Sequence, residues 1–548
     1  MKKILSYFII GALALGATSC NKILDINDNP NSPTSTTPQV VLPQAIVSTA
    51  ALANGYSQSF GYPGGFFANV YGFGGYGATV TLNYGTSDFA GPFQSSYDNA
   101  QDYQYIIDNS TDPTLVYPNA IARIMKSYVF AKLVDNYNDV PYTEALKGIA
   151  VLTPKYDKAT DIYKDLVTQL NAAIAAITAG QAQPATSAPT KLVGSADPMF
   201  GADMDKWKRF ANSLKLRLLV KMASAPETLT FATTEFASFD NTLGLITDDA
   251  VVNPGYAKQS GRLAPVYNSL AADETNTRRV TSILPTIYVY SFYNGTKLLD
   301  AGRGGVIYRS YPNTQKNQLG QENLASSVIP PAGSTAFYTG ADFDTPGLGA
   351  VKGPAQAQPV MLLAEAKFVQ AEARLKGFIP GSAQDAFNFG ITASFRYLYK
   401  NQTGVVDATR AEPGVTTGVL PDATAIPANG TSGALTKYRT DNASYLVHYE
   451  SAVGAAQQLE AIITQKYIAL NEIAHDEAFA EYRRTGWPRN APTSTDPALN
   501  MASLQSRATS TDKLITRVPY PQSEYNVNSA NVPQNVNIFT AKVFWDQN

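Results

Sequence analysis

Few side chains in this chain stand where they could do covalent chemistry. His448 and His475 are its only histidines and Cys20 its only cysteine. The histidines are far apart, neither has a partner at metal-ligand spacing, and no second thiol remains. A zinc site or a cysteine nucleophile is therefore not expected, nor any cofactor. Glu477 and Glu481 lie one helical turn apart, as paired carboxylates can, but Arg483 and Arg484 beside them read more simply as partners in surface ion pairs. No G-x-S-x-G occurs. A glycoside hydrolase needs two carboxylates across a cleft, and sequence does not supply that separation, so this alternative stays open. Gly72-Phe73-Gly74-Gly75-Tyr76-Gly77 matches G-x-G-x-x-G, which requires a strand before it and a helix after. The following Ala78–Gly85 is β-branched without helical period, so residues 55–93 read as an exposed aromatic loop.

The chemistry the composition does favour is non-covalent. There are 32 Tyr and 24 Phe against 3 Trp, and tyrosine offers a flat apolar face with a polar tip. Pyranose C–H faces pack on such rings while hydroxyls find polar side chains. Two segments combine aromatics with flexible backbone. One holds Tyr71, Phe73, Tyr76 and Tyr84; the other holds Tyr288, Tyr290, Tyr293, Tyr308 and Tyr311. From these, Phe73, Tyr76, Tyr84, Tyr290, Tyr293 and Tyr308 are the expected ligand-binding residues. The same rings are equally compatible with core or partner contacts.

Cys20 has a different role. Met1-Lys2-Lys3 is followed by an apolar run from Ile4 to Leu15, then Gly16-Ala17-Thr18-Ser19 and Cys20. That is a cationic start, an apolar stretch and a small-residue cleavage site. A dozen helical residues reach only ~18 Å, short of the roughly 30 Å hydrocarbon core, so the segment is a targeting peptide. A cysteine directly after small residues resembles the lipobox of bacterial lipoproteins, where the thiol is acylated. The alternative is an ordinary secretory signal with a chance cysteine.

These residues must be carried by a large folded body. Hydrophobic residues make up 44% of the chain and charged ones 16%, and 42 Lys+Arg balance 44 Asp+Glu. A nucleic-acid binder is thereby disfavoured, since phosphate binding needs a basic surface. Helical periodicity dominates: a helix from Pro38 to about Ala53, then 119–135, 157–178, 205–222, 358–376, 383–399, 452–473 and 475–485. In 205–222, Trp207, Phe210, Ala211, Leu214 and Leu218 form one face, with Lys208, Lys215, Arg217 and Lys221 elsewhere. Helix pairs with short breaks point to a tetratricopeptide-like scaffold. Long irregular stretches at 180–204, 240–265, 300–357 and 400–445 are unusual unless functional, and loops on a rigid scaffold are the layout of a binding protein.

Several local signatures recur in a telling order: Asp25-Ile26-Asn27 after Cys20, Asp135–Ala145, Leu362-Leu363-Ala364-Glu365-Ala366, Gln465–Leu470, Tyr482–Pro488, Arg517–Asn528 and Phe544-Trp545-Asp546. With them the chain resembles the SusD/RagB family of Bacteroidota outer-membrane lipoproteins, in its SusD-like branch, across nearly the whole mature length. Asn138 departs from the family's usual Gly, though Asn also tolerates positive φ. The resemblance implies a mostly α fold of tetratricopeptide-like helix pairs with long irregular loops on one face. It also implies a non-enzymatic protein on the extracellular face of the outer membrane. Such a protein captures a nutrient, usually an oligosaccharide and sometimes a peptide, as a hinged lid on a SusC-like TonB-dependent transporter. A structural or adhesive surface protein is a further alternative. The expected organisation is a lipoprotein signal peptide at 1–19, a tether at 20–37 from the lipidated Cys20, and one domain at 38–548. Cys20→Ala is expected to abolish incorporation of labelled palmitate and to release the protein from the membrane fraction. Absence of label on the wild type rejects the anchor.

Overall fold

The first half of the chain lays down long helices in succession. These are α1 (Pro38–Phe60), α2 (Ala90–Asp108), α3 (Val116–Tyr137), α4 (Ala159–Gln181), α5 (Met204–Met222) and α6 (Pro226–Ala237). A second set follows: α7 (Leu363–Leu375), α8 (Ala383–Tyr399), α9 (Ala434–Asp441), α10 (Gly454–Ala469) and α11 (His475–Thr485). The structure, a computed structural model, describes residues 36–70, 77–190, 192, 194–322, 334–406 and 433–548. Each neighbouring pair from α1 to α5 packs together, as do α7 and α8. The two sets join where α7 meets α5 and where α11 meets α1, and α7 also packs on α10 within the second set. This is the mostly helical, tetratricopeptide-like architecture expected from the periodicity.

Local signals set the helix ends. Asp203 caps α5 by accepting from the Asp205 and Lys206 amides, and Ser382 caps α8 by accepting from Asp385, satisfying donors that a helix start leaves free. Gly486 ends α11 in the left-handed conformation, at φ +76°, where a side chain would be strained. Three short antiparallel strand pairs clip loops to this frame: β1 (Phe67–Asn69) with β5 (Ile283–Pro285), β2 (Val140–Pro141) with β3 (Tyr156–Asp157), and β4 (Ala250–Val252) with β6 (Gln358–Met361). Asn138 adopts φ +63°, and its Oδ1 accepts the Phe544 amide at 2.8 Å, an anchor that a glycine could not supply.

The described part of the segment read as an exposed aromatic loop is largely core. Helix α1 runs on to Phe60, and Tyr56, Phe60, Phe66, Phe67, Tyr84, Phe89 and Phe93 are buried. Phe66 stacks on Tyr467 at 4.4 Å and on His475 at 4.2 Å. Glycines at 61, 64 and 65 lack the side chain that would strike Phe67, Phe66 and Met501, so they serve close packing here.

The charges on α5 and α11 are the larger surprise. Lys215, Arg217 and Lys221 are buried, as are Glu477, Glu481, Arg483 and Arg484; they are interior, not surface, ion pairs. Glu477 Oε1 lies 3.0 Å from Lys132 Nζ and 3.2 Å from Arg217 Nη1, and its Oε2 lies 3.0 Å from Lys221 Nζ. Arg217 also reaches Glu365 at 3.0 Å, and Lys221 reaches Asp135 at 2.7 Å. Beside them Arg484 forks onto Glu372 at 2.5 and 2.6 Å and also binds Glu481, which pairs with Lys466 at 2.7 Å. Helices on both sides of the molecule bury carboxylates and cations in register. Amphipathic periodicity does not reveal this, because these faces are turned to another charged face instead of to solvent.

Burial alone would raise the Glu477 carboxyl, but Arg217, Lys132 and Lys221 together hold it well below the usual carboxylate range. A lowered pKa contributes stability above the unfolded value of 4.5 and loses it as pH falls below that. Glu477→Gln leaves buried cations uncompensated. It is expected to cost about 3–5 kcal/mol in urea unfolding at pH 7, and to flatten the acid limb of the melting-temperature profile below pH 4.5. A cost under ~1 kcal/mol contradicts the central role assigned to this carboxylate.

Candidate functional site

The aromatic residues expected from sequence divide into two groups. Phe73 and Tyr76, like Cys20, lie outside the described residues. Tyr84, Tyr290, Tyr293 and Tyr308 are buried and present no ring face to a ligand. Tyr84 meets Phe89 edge-on at 5.0 Å. Tyr290 and Tyr293 each approach Tyr308 at 5.4 Å. Their hydroxyls are used internally: Tyr290 donates to Pro312 O at 2.9 Å, while Asn471 Nδ2 donates to the Tyr293 and Tyr308 oxygens at 2.9 and 2.7 Å. A tyrosine tip satisfied by protein suits a core as well as a wet surface, so residue type could not separate the two.

His475 is also structural. His475 is fully buried, and its Nδ1–H donates to Ser57 O at 3.0 Å while Nε2 accepts the Glu472 amide at 3.0 Å. Burial pushes its pKa down to about 3, against the pull of the Ser57 contact, so the ring is neutral. Among the described residues, no group of three or more His, Cys, Asp or Glu is arranged to hold a metal. No described helix is long and apolar enough to cross a membrane.

What the fold assembles instead is a surface platform just past the end of α11. Trp207 and Trp545 are fully buried, whereas Trp487 is half-buried. Gly486 turns the chain out of the helix, with its amide donating to Tyr482 O at 2.7 Å, and so places Trp487 at the protein edge. The Arg489 guanidinium lies 4.7 Å from the Trp487 ring centre on a side chain that is 76% exposed. Arg489 Nε is 3.7 Å from Glu460 Oε1, and the Tyr445 hydroxyl donates to Glu460 Oε2 at 2.7 Å. Burial and then Glu460 push the Tyr445 phenol up to about 12, so it remains a donor. The backbone beneath is pinned by Tyr288, whose hydroxyl donates to Arg489 O at 2.8 Å. Tyr288 in turn carries the Lys297 ammonium 3.6 Å above its ring.

Trp487, Tyr445, Glu460 and Arg489 thus combine an aromatic face, a hydroxyl, a buried carboxylate and an exposed guanidinium. The chemistry of such a set suits a polyhydroxylated ring, with C–H contacts available on the indole and hydrogen bonds at its rim. In the sequence Trp487 stands out only as part of the Tyr482–Pro488 signature. The available signal was its position directly after the capping glycine, outside the helix and beside an arginine.

Elsewhere, hydrogen bonds gather several loops around β1. β1 pairs with β5, the Val70 amide donates to Ser282 O, Asn317 Nδ2 donates to Asn69 O, and the Arg507 amide donates to Thr81 O. Val70 and Thr81, described residues on either side of 71–76 in sequence, are tied by these bonds.

The profile of a family described as SusD-like, "Starch-binding associating with outer membrane", matches residues 30–521. The chain belongs to the SusD-like family. No curated protein matches the sequence. Among solved structures, a SusD homologue from Bacteroides fragilis is 19% identical, with a TM-score of 0.64, over 94% of this chain and all of that one. Another from Bacteroides uniformis is 23% identical, at 0.64, over 93% and 99%. A chitin-binding SusD homologue from Flavobacterium johnsoniae is 19% identical, at 0.64, over 92% and 99%. At these identities the likeness is one of fold. The family is one of binding proteins associated with the outer membrane, and this SusD-like chain shares its helical frame.

With Trp207 and Trp545 buried, Trp487 is the tryptophan whose fluorescence a surface ligand would change. Trp487→Ala is expected to weaken saccharide binding by about 1–3 kcal/mol, the usual loss for an aromatic anchor, and to abolish ligand-dependent quenching with little change in melting temperature. Unchanged affinity in the variant removes Trp487 from the site.

Proposed function

We propose that this SusD-like protein is a surface lipoprotein, held by acylated Cys20, that captures an oligosaccharide and passes it, as a lid, to a SusC-like TonB-dependent transporter. The observation that carries the saccharide reading is the half-buried Trp487 ring with the exposed Arg489 beside it, held by the buried Glu460 and by Tyr445, in a family member. The family's description and the chitin-binding relative agree with a carbohydrate ligand. Phe73 and Tyr76 belong to the same proposal. In sequence they follow Val70, whose amide donates to Ser282 O, and precede Gly77 at φ +57°. The role is capture without cleavage.

A lid must open and reclose, so its contact with the transporter is expected to be extensive but partly polar. Ligand should favour closure, because only the closed state lets both proteins touch it. From detergent-solubilised outer membrane the protein is expected to co-purify with a TonB-dependent transporter in roughly equal ratio. The pair should bind an oligosaccharide more tightly than the lipoprotein alone. Recovery as a free monomer while the neighbouring transporter is present sinks the lid mechanism. Separately, Phe73→Ala and Tyr76→Ala should each weaken oligosaccharide binding by about 1–3 kcal/mol at constant melting temperature. Calorimetry against glycan and peptide panels decides the ligand class: heat from peptides alone replaces the saccharide with a peptide.

A further inference from the structure

A groove of about 660 Å³ runs between α2, α3, α4 and the turn after β2, and none of the Trp487 platform residues lines it. Its chemistry is set by two half-buried cations one turn apart on α3, Arg123 and Lys126. Side chains that ended in bulk water would be expected to find carboxylates or solvent. These are instead held by carboxamides. Arg123 Nε donates to Asn119 Oδ1 at 2.8 Å, Arg123 Nη1 donates to Gln169 Oε1, and Lys126 Nζ donates to Gln104 Oε1 at 2.5 Å. The two carboxylates in the lining are taken up elsewhere: Asp165 accepts from the Tyr142 hydroxyl and from Gln169 Nε2 at 3.3 Å, and Asp108 accepts from Gln104 Nε2 at 2.7 Å. Lys126 also lies 5.6 Å from the Phe130 and Tyr142 ring centres. Burial pushes its amine down to about 8, opposed by Asp165 and Asp108. The positive charge is thus positioned by neutral amides and left without a directly bonded counter-charge, an arrangement that favours an incoming anion.

The rest of the lining rules against a bare inorganic anion as the fitted ligand. Gln104, Gln169, Asp165 and Tyr142 supply donors and acceptors in alternation around a space large enough for one or two sugar rings, and the Tyr142 ring adds an apolar face. We propose that this groove is a second ligand site and takes a carboxylate-bearing saccharide, with the carboxylate on Arg123 and Lys126 and the hydroxyls on Gln104, Gln169 and Asp165. The site rests on the reading of the protein as a saccharide binder and narrows it, since a neutral sugar leaves both cations unanswered.

The test is calorimetry on the full-length protein in detergent, using a glucuronate-containing disaccharide and the neutral disaccharide of the same linkage. The acidic disaccharide is expected to bind at least tenfold more tightly than the neutral one. Arg123→Gln and Lys126→Gln should each weaken the acidic ligand tenfold or more, while neutral-oligosaccharide quenching at Trp487 stays as in the wild type. Lys126→Arg keeps the charge and should restore acidic binding; failure of that rescue overturns the assignment even if Lys126→Gln is poorly folded. Absence of saturable heat from the acidic disaccharide overturns it, as does displacement of that ligand by equimolar inorganic sulfate, which would make the groove a general anion site. Binding of neutral oligosaccharide at Trp487 with no acidic binding defeats this inference alone. Loss of every saccharide response defeats the proposed function with it.

Discussion

An ionised carboxylate cannot sit in a protein interior without partners, and Glu477 organises this molecule around that requirement. Its two oxygens are met by Lys132 from α3 and by Arg217 and Lys221 from α5, and Arg217 carries the contact on to Glu365 of α7. Four helices are thereby held at one point. Taking these charges out of water costs several kcal/mol per ion, which their mutual attraction offsets only with good geometry. The cluster is therefore better understood as specifying one mutual arrangement than as a large net stabiliser. A sliding or rotated helix would strand a buried charge, whereas a purely apolar face tolerates repacking.

The same logic extends to the C-terminal tail. Asp135, at the end of α3, accepts from Lys221, from the Tyr163 hydroxyl and from the Trp545 indole at 2.9 Å. Its carbonyl accepts from Arg483 Nη2 at 3.0 Å. Arg517 donates to Tyr137 O, the Tyr520 hydroxyl donates to Asp139 O at 2.6 Å, and the Phe544 amide donates to Asn138 Oδ1. Segments nearly four hundred residues apart thus close on one turn. That explains why the local signatures of this SusD-like chain cluster at Asp135–Ala145, Tyr482–Pro488 and the tail. They are the pieces of one structural knot, and its function is to hold the frame rigid.

A frame fixed in this way leaves recognition to its edges. Trp487 stands one residue beyond the capping Gly486 at the end of α11, the helix that carries Glu477 and Glu481. The platform therefore inherits its position from the most constrained part of the interior, which suits a site that must keep a ring and a carboxylate in register. The loops of the frame are clipped by two-stranded ladders a few residues long. Such ladders can vary in what they carry without disturbing the helices beneath.

Much of the frame was readable from the chain. Apolar residues recurring at helical spacing marked the long helices, and Gly486 announced the end of α11, because helix periodicity and φ > 0 are local properties of a few consecutive residues. The order of the signatures disclosed the family for the same reason. Three matters needed the folded chain. Lys215, Arg217, Lys221, Glu477 and Glu481 look like a solvated face in one dimension; only a facing helix of opposite charge makes them interior. Tyr84, Tyr290, Tyr293 and Tyr308 look like a wet platform, yet their hydroxyls or rings are taken up by partners distant in sequence. Trp487 looks like punctuation, and it becomes a platform only when Tyr445, Glu460 and Arg489 are brought to it. Sequence by itself determined the helices, their caps and the family, which depend on short-range geometry. Tertiary structure alone decided which charges and rings face water, because burial is a property of what packs opposite a residue and not of the residue.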